Sequence, residues 1–161
     1  MVKHMRIDNR LIHGQVTTTW VGQINADLIM VVNDKVSKDP IQTVMLPMAA
    51  RGVKTLVLSI EDAIKFIQEN EKTKIMIVAK FGTDALALME AGIRPVEVNM
   101  GNQAPLPGTK YEMVTKSIAV TKEDASVYRK IAELNGGSLT TQMMPSNPKQ
   151  DFVKLMDAKG L

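Results

Sequence analysis

The sequence has no cysteine and only two histidines, His4 and His13. Disulfides and thiolate chemistry are excluded, an intracellular setting is the default, and a structural zinc site has too few ligands to form. Aromatic residues make up 4% of the chain, and no apolar run approaches the roughly 20 residues of a membrane helix. Strand-like patterning starts within the first five residues, so the beginning does not read as a targeting segment. The formal charge is +3, yet 15 of the 20 basic residues are scattered lysines. No basic cluster is interleaved with aromatics and no helix carries a basic stripe, so nucleic acid is not an expected partner. Any histidine chemistry must be that of a single imidazole.

At 161 residues, 45% hydrophobic and 23% charged, the chain suits one soluble domain with a substantial core. Strand-length apolar runs alternate with helix-period segments. Strands are expected at 2–7, 27–32, 54–59, 74–79 and 95–100, with short strand character at 110–120 and again at 138–144. Helices are expected at 14–24, at 39–50 with Pro47 as a kink or break, after Ser59, at 83–92, after Thr121, and from Asn147-Pro148 onward. Ser59 with Asp62, and Thr121 with Asp124, have the spacing of helix N-caps with an acidic third position. Alternation of this kind predicts βαβ units. The expected fold is a single-domain, three-layer α/β arrangement over residues 1–161: an open, mostly parallel sheet with helices on both faces.

The segment "LIHGQV" (11–16) lies where the first strand hands over to the first helix. In open parallel sheets, ligands bind at the carboxyl ends of strands, where helix N-termini present unpaired amides to anions. Gly14 leaves space for an anion to approach the backbone. Arg6 and Arg10 flank the loop, two of only five arginines in the chain. A guanidinium can fork onto two phosphoryl oxygens, which a lysine cannot do. Asp8 could fix an arginine or hold one imidazole tautomer. The residues alone leave other readings open: His13 as a half-buried loop residue, Arg6 as a structural partner of Asp8, and the domain as a non-enzymatic sensor of a phosphorylated metabolite. Val16, Trp20 and Ile24 fall on helical spacing and read as core, and His4, inside the strand, reads as packing.

The stretch "RIDNRLIHGQV" followed by Trp20 closely resembles the active-site segment of the IIB subunits of the bacterial phosphoenolpyruvate-dependent sugar phosphotransferase system, in its mannose–fructose–sorbose family. The likeness extends to the order of elements, to "VNMGN" (98–102), and to overall length. It implies that His13 accepts a phosphoryl group at Nδ1 from a phosphohistidine of a IIA partner. His13 then passes it to a hexose or hexosamine held by membrane IIC/IID subunits. Arg10 is implied as a phosphate contact, with Arg6, Asp8, Asn9, Gly14 and Gln15 around the active-site loop. No metal or cofactor is expected, since Arg10 and the amides of Gly14 and Gln15 can neutralise the phosphoryl charge. The chain would work in the cytoplasm, peripherally at the inner face of the membrane. Related systems use a cysteine on IIB, so its absence agrees. Asn9 and Asn102 depart from the family's frequent aspartate and glycine and resemble the N-acetylgalactosamine/galactosamine branch. Lys35 and Lys80, each just after a predicted strand, are candidates for a basic rim that steers the IIA partner.

Overall fold

The computed structural model describes residues 1–161. In chain order the elements are β1 (Val2–Asp8), α1 (Gly14–Ile24), β2 (Leu28–Val32), α2 (Asp34–Ser37), α3 (Gln42–Ala49), β3 (Thr55–Leu58), α4 (Ile60–Glu69), β4 (Ile75–Ala79), α5 (Gly82–Glu90), β5 (Val98–Asn102), β6 (Glu112–Thr115), β7 (Ile118–Val120), α6 (Lys122–Leu134), β8 (Thr140–Thr141), β9 (Gln150–Asp151) and α7 (Phe152–Ala158). Seven strands form one sheet in the order β3-β2-β4-β1-β5-β8-β9, parallel except for β9. Strands β6 and β7 make a separate antiparallel hairpin.

Strand β2 is buried at all five positions because both of its faces are covered. Leu28, Met30 and Val32 enter one core, which α4, α5, α6 and α7 close. Ile29 and Val31 enter the other, closed by Trp20 and Val21 of α1, Val36 of α2 and Leu46 of α3. Strand β4 divides in the same way, with Ile75, Ile77 and Ala79 on one side and Met76 and Val78 on the other. This is the expected three-layer α/β fold. Chain segments leaving β1 and β2 pass to one face, and those leaving β4 and β5 lead to helices on the other. The divergence opens a crevice at the carboxyl end of β1.

Several boundaries differ from the sequence pattern. The helix expected over 39–50 is α3, which starts later, at Gln42, because Asp39 Oδ1 accepts from the amides of Ile41 and Gln42 and turns the chain just before it; the short α2 has no counterpart in the sequence pattern. Pro47 does not break α3; it lies inside the helix, close to its end. The strand expected at 95–100 is shifted to Val98–Asn102. The strand expected over 138–144 shrinks to Thr140–Thr141, since the next two carbonyls, of Gln142 and Met143, turn to accept from Arg6. The last helix starts at Phe152 rather than near Pro148, capped by Asp151, whose carboxylate accepts from the Lys154 amide.

Candidate functional site

Alternation along β1 builds the site. Met5 and Ile7 point into the larger core, while His4, Arg6 and Asp8 point toward the side of α1. All three are fully or almost fully buried. His4 stacks on Trp20 with ring centroids 4.7 Å apart, and the Arg6 guanidinium lies 5.4 Å from the centroid of the same indole. A polar row thus occupies a position where a parallel strand would ordinarily be apolar.

Arg6 is spent entirely within the protein. Its Nη1 donates to Asn99 Oδ1 (2.8 Å) and the Gln142 carbonyl (2.9 Å), its Nη2 to the Met143 carbonyl (3.2 Å), and its Nε to Asp8 Oδ2 (3.4 Å). Trp20 Nε1 donates to the same Met143 carbonyl at 3.0 Å. The guanidinium packs on Gly101, where a Cβ would lie 2.5 Å from Arg6 Nε. Arg6 therefore sits beneath the loop as a support and presents no donor at its surface.

Asp8 is the hub. Its Oδ1 accepts from the Arg10 amide (3.0 Å) and Arg10 Nε (3.2 Å), and its Oδ2 accepts from Arg10 Nη2 (3.2 Å). The carboxylate thereby grips one edge of the Arg10 guanidinium, leaving Nη1 without a protein partner on a side chain that is one-third exposed. The side edge that could fork onto a phosphoryl group is taken by Asp8; Nη2 also reaches Met143 Sδ at 3.6 Å, and Nη1 is the donor that remains.

The chain then turns sharply. The Leu11 amide donates to the Asp8 carbonyl at 3.1 Å, and Leu11 itself adopts φ 64°, a left-handed conformation that costs a non-glycine residue about 1–2 kcal/mol. Its side chain is buried beside that of Ile12, and this anchors the turn. His13 follows as the residue before α1, extended at φ −144°, and Gly14 takes φ 52° to enter the helix. His13 provides no side-chain cap, and the first turn of α1 contains no acidic residue. The amides of Gly14 and Gln15, on two exposed residues, are left for an anion.

The His13 ring is half-buried. Nδ1 lies 3.1 Å from the Leu11 carbonyl, and Nε2 lies 3.9 Å from Asp8 Oδ2 with no hydrogen-bond partner. Burial pushes the imidazole below its ordinary pKa, opposed by Asp8 and by the Leu11 contact and assisted by Arg10 and Arg6. Burial, more than the neighbouring arginines, is the cause of the shift.

Asn9 laces the loop to the end of β5. Its Nδ2 donates to the Ala104 carbonyl at 3.1 Å, while its Oδ1 accepts from Asn102 Nδ2 and the Ala104 amide, both at 3.1 Å. Lys35 and Lys80 both fall at the carboxyl edge of the sheet, in α2 after β2 and directly after β4. The motif residues come together as expected, except that Arg6 and Asn9 face inward. Sequence reasoning missed the support given to Arg6 by Asn99, Gly101 and Met143. "VNMGN" signalled the first two, whereas no pattern marks a backbone carbonyl that is 137 residues away. No group of histidine, aspartate and glutamate side chains is arranged to hold a metal ion.

Comparison with known proteins gives concordant results. A family model described as PTS system sorbose subfamily IIB component matches residues 2–161. The N-acetylgalactosamine-specific phosphotransferase enzyme IIB component 2 of Escherichia coli is 32% identical over 153 residues, covering 94% of this chain and 96% of that protein. The mannose-specific EIIAB component of Escherichia coli is 31% identical over 94% of this chain, which spans 46% of that longer protein. Among solved structures, the IIBSor domain of the sorbose permease from Klebsiella pneumoniae superposes with a TM-score of 0.90 at 28% identity, covering 98% of this chain and 97% of that one.

Proposed function

The chain belongs to the sorbose subfamily of phosphotransferase-system IIB components, and from this premise we propose that His13 is the residue that carries the phosphoryl group. As a IIB component it is a phosphotransferase that receives phosphate from a IIA partner and passes it to a sugar. The observation that supports His13 most directly is a half-buried imidazole, its pKa lowered by burial, at the uncapped N-terminus of α1, with Asp8 facing its ring and also holding Arg10.

The transfer is an in-line displacement in which positioning and electrostatics do most of the work. A lone pair of His13 forms a nitrogen–phosphorus bond as the donor's nitrogen–phosphorus bond breaks. The equatorial oxygens lie against Nη1 of Arg10 and the amides of Gly14 and Gln15. The family's use of Nδ1 needs a proton shift first. In the resting geometry Nδ1 faces the Leu11 carbonyl, which only accepts, so the proton resides there. With the proton on Nε2 and the ring turned away from Leu11, Nδ1 is free to attack. The positive charge the ring then acquires is met by Asp8, which already stands 3.9 Å from Nε2.

The acceptor is a hexosamine of the N-acetylgalactosamine class, an assignment supported by the first of the relatives above and by Asn9 and Asn102. The sugar is held by IIC/IID membrane subunits, against which this chain docks from the cytoplasmic side. No helix of its own is long and apolar enough to cross a membrane.

The test mixes the protein with phosphoenolpyruvate, the two general phosphotransferase proteins and a IIA partner. An acid-labile adduct of about 80 Da, one phosphoryl group, is expected on His13. His13→Gln should abolish it without lowering the melting temperature appreciably. Phosphate found on His4, or acceptance retained in the variant, would overturn the assignment.

A further inference from the structure

Helix α3 carries an apolar stripe that nothing in this chain covers. Ile41, just before its first turn, and Val44, Met45 and Met48 within it are each between 60% and 75% exposed. Their spacing is i, i+3, i+4, i+7, which places them on one helix face. No charged residue occurs from Pro40 to Ala50. The opposite side of the same segment, Leu46 and Ala50, belongs to the buried cluster that contains Leu11 and Ile12. The stripe is therefore joined through one core to the loop that presents His13.

We infer that this stripe is the surface on which the membrane subunit holding the sugar seats the phosphorylated chain, an inference that rests on the function proposed above. Four considerations lead to this occupant. A phosphocarrier brings two partners in turn to one atom, so what lies beside the loop must distinguish them. The donor arrives with an anionic phosphoryl group and is suited to charged residues around the loop, not to a helix without a single charge. A second copy of this chain is a poor match, because four side chains offer at most a few hundred Å², short of the roughly 800 Å² per partner in a stable interface. A lipid surface fits poorly too, since interfacial helices carry lysine and arginine on their polar face and α3 has neither. An uncharged, apolar recess on the cytoplasmic side of a membrane protein remains, met weakly and briefly as a turnover cycle requires.

The experiment separates the two half-reactions with the full chain carrying Met45→Gln and Met48→Gln, exposed positions where glutamine keeps helix propensity and length. The rate of phosphorylation by IIA should stay within about twofold of wild type. Transfer from phosphorylated protein to labelled sugar in vesicles containing the IIC/IID subunits should show a KM for the carrier raised on the order of tenfold, with the saturated rate kept. An unchanged KM would overturn the inference. So would a slowed IIA step with an intact second step, which assigns the stripe to IIA. A wild-type dimer that the substitutions dissociate, or wild-type binding to protein-free anionic vesicles that they abolish, would assign it to a second copy or to lipid. If wild type takes no phosphate from IIA, it is the His13 assignment that fails, and the first half-reaction reveals this by itself.

Discussion

Asp8 Oδ2 stands 3.9 Å from His13 Nε2 while the same carboxylate holds Arg10 through both of its oxygens and Arg6 through one. One fully buried acid thus sets the position of Arg10, compensates Arg6, and faces the His13 ring. Asp8→Asn keeps the shape and removes the charge. It leaves Arg6 buried without its counter-charge, and breaking a buried ion pair costs about 3–5 kcal/mol. We expect a clear loss of melting temperature together with slower phosphoryl acceptance, read from thermal melts and from the IIA half-reaction. Unchanged stability would mean that Asn99 and the carbonyls of Gln142 and Met143 hold Arg6 unaided.

Arg10 should not tolerate lysine. Its grip by Asp8 depends on two parallel N–H groups, and the contact left for phosphate depends on the other edge of the same plane. Arg10→Lys should slow transfer on the order of 10²-fold, comparable to loss of one oxyanion-hole donor. Rapid-quench measurement of the adduct checks this. A wild-type rate in both Arg10→Lys and Arg10→Ala would make Arg10 a structural residue.

Gly101→Ala tests the support from below. The added methyl would lie 2.5 to 2.7 Å from three atoms of the Arg6 guanidinium, which is fixed by four other contacts and has nowhere to go. A penalty of about 1–3 kcal/mol, typical of overpacking, should appear in the denaturation midpoint. Phosphoryl acceptance should fall as well, because Arg6 is coupled to Asp8. A neutral substitution would show that β5 can shift away from β1 at little cost.

The pH dependence of stability follows from three groups, the buried His4 and the half-buried His13 and Glu97. Burial lowers the pKa of His4 and of His13, so between their folded values and the ordinary value of about 6.5 the unfolded chain binds more protons. Their contribution is complete above about 6.5 and is lost as pH falls through the folded values. Glu97 is held at about 2, chiefly by His4 beside it, with Lys149 at 2.7 Å and Thr140 adding to the effect and burial opposing it. Its contribution is present above about 4.5 and disappears toward 2. Melting temperature should therefore decline from pH 7 to 5 and again below 4.5. His4→Phe, which keeps the stacking on Trp20, should flatten the first decline. An equally steep decline in that variant would leave His13 alone responsible for it.

Lys35 and Lys80 flank the carboxyl edge on which His13 lies, a placement suited to steering the anionic donor. If they steer, the second-order rate of phosphorylation by IIA should fall as salt rises from about 50 to 500 mM, where the Debye length shrinks severalfold. Lys35→Glu or Lys80→Glu should lower the rate at low salt with little change in melting temperature. A rate indifferent to both would leave shape complementarity as the basis of recognition.

Local features were readable before any coordinates. The cap of α4, with Ser59 accepting from the Asp62 amide, and the capping box of α6, with Thr121 and Asp124 reciprocally bonded, involve residues three apart. The motif around His13 lies within a few residues and specifies its loop, Asp8 and Arg10 together. What could not be read depends on distance along the chain. Thr140–Thr141 is a strand of two residues because β5 lies beside it and Arg6 takes the next carbonyls. The lowered pKa of His13 is mainly a matter of burial, and burial belongs to the whole fold. The later start of α3 has a different reason: Asp39 makes the turn before it with its own side chain, a local signal that the helical periodicity obscured.

The contacts that hold Arg6 also impose an order in time. The arginine is made 136 and 137 residues ahead of the two carbonyls that receive it, those of Gln142 and Met143. At roughly 5–20 residues per second of synthesis, Arg6 waits about 7–30 s for partners that do not yet exist. Until they arrive, Asp8 and the loop above it have no firm floor. A ribosome-bound or prematurely released fragment ending before residue 143 can display the whole "RIDNRLIHGQV" motif and still lack a working acceptor. Competence of the loop is thereby coupled to synthesis of residues 142 and 143, so fragments that stop short of them should draw no phosphate from the donor pool.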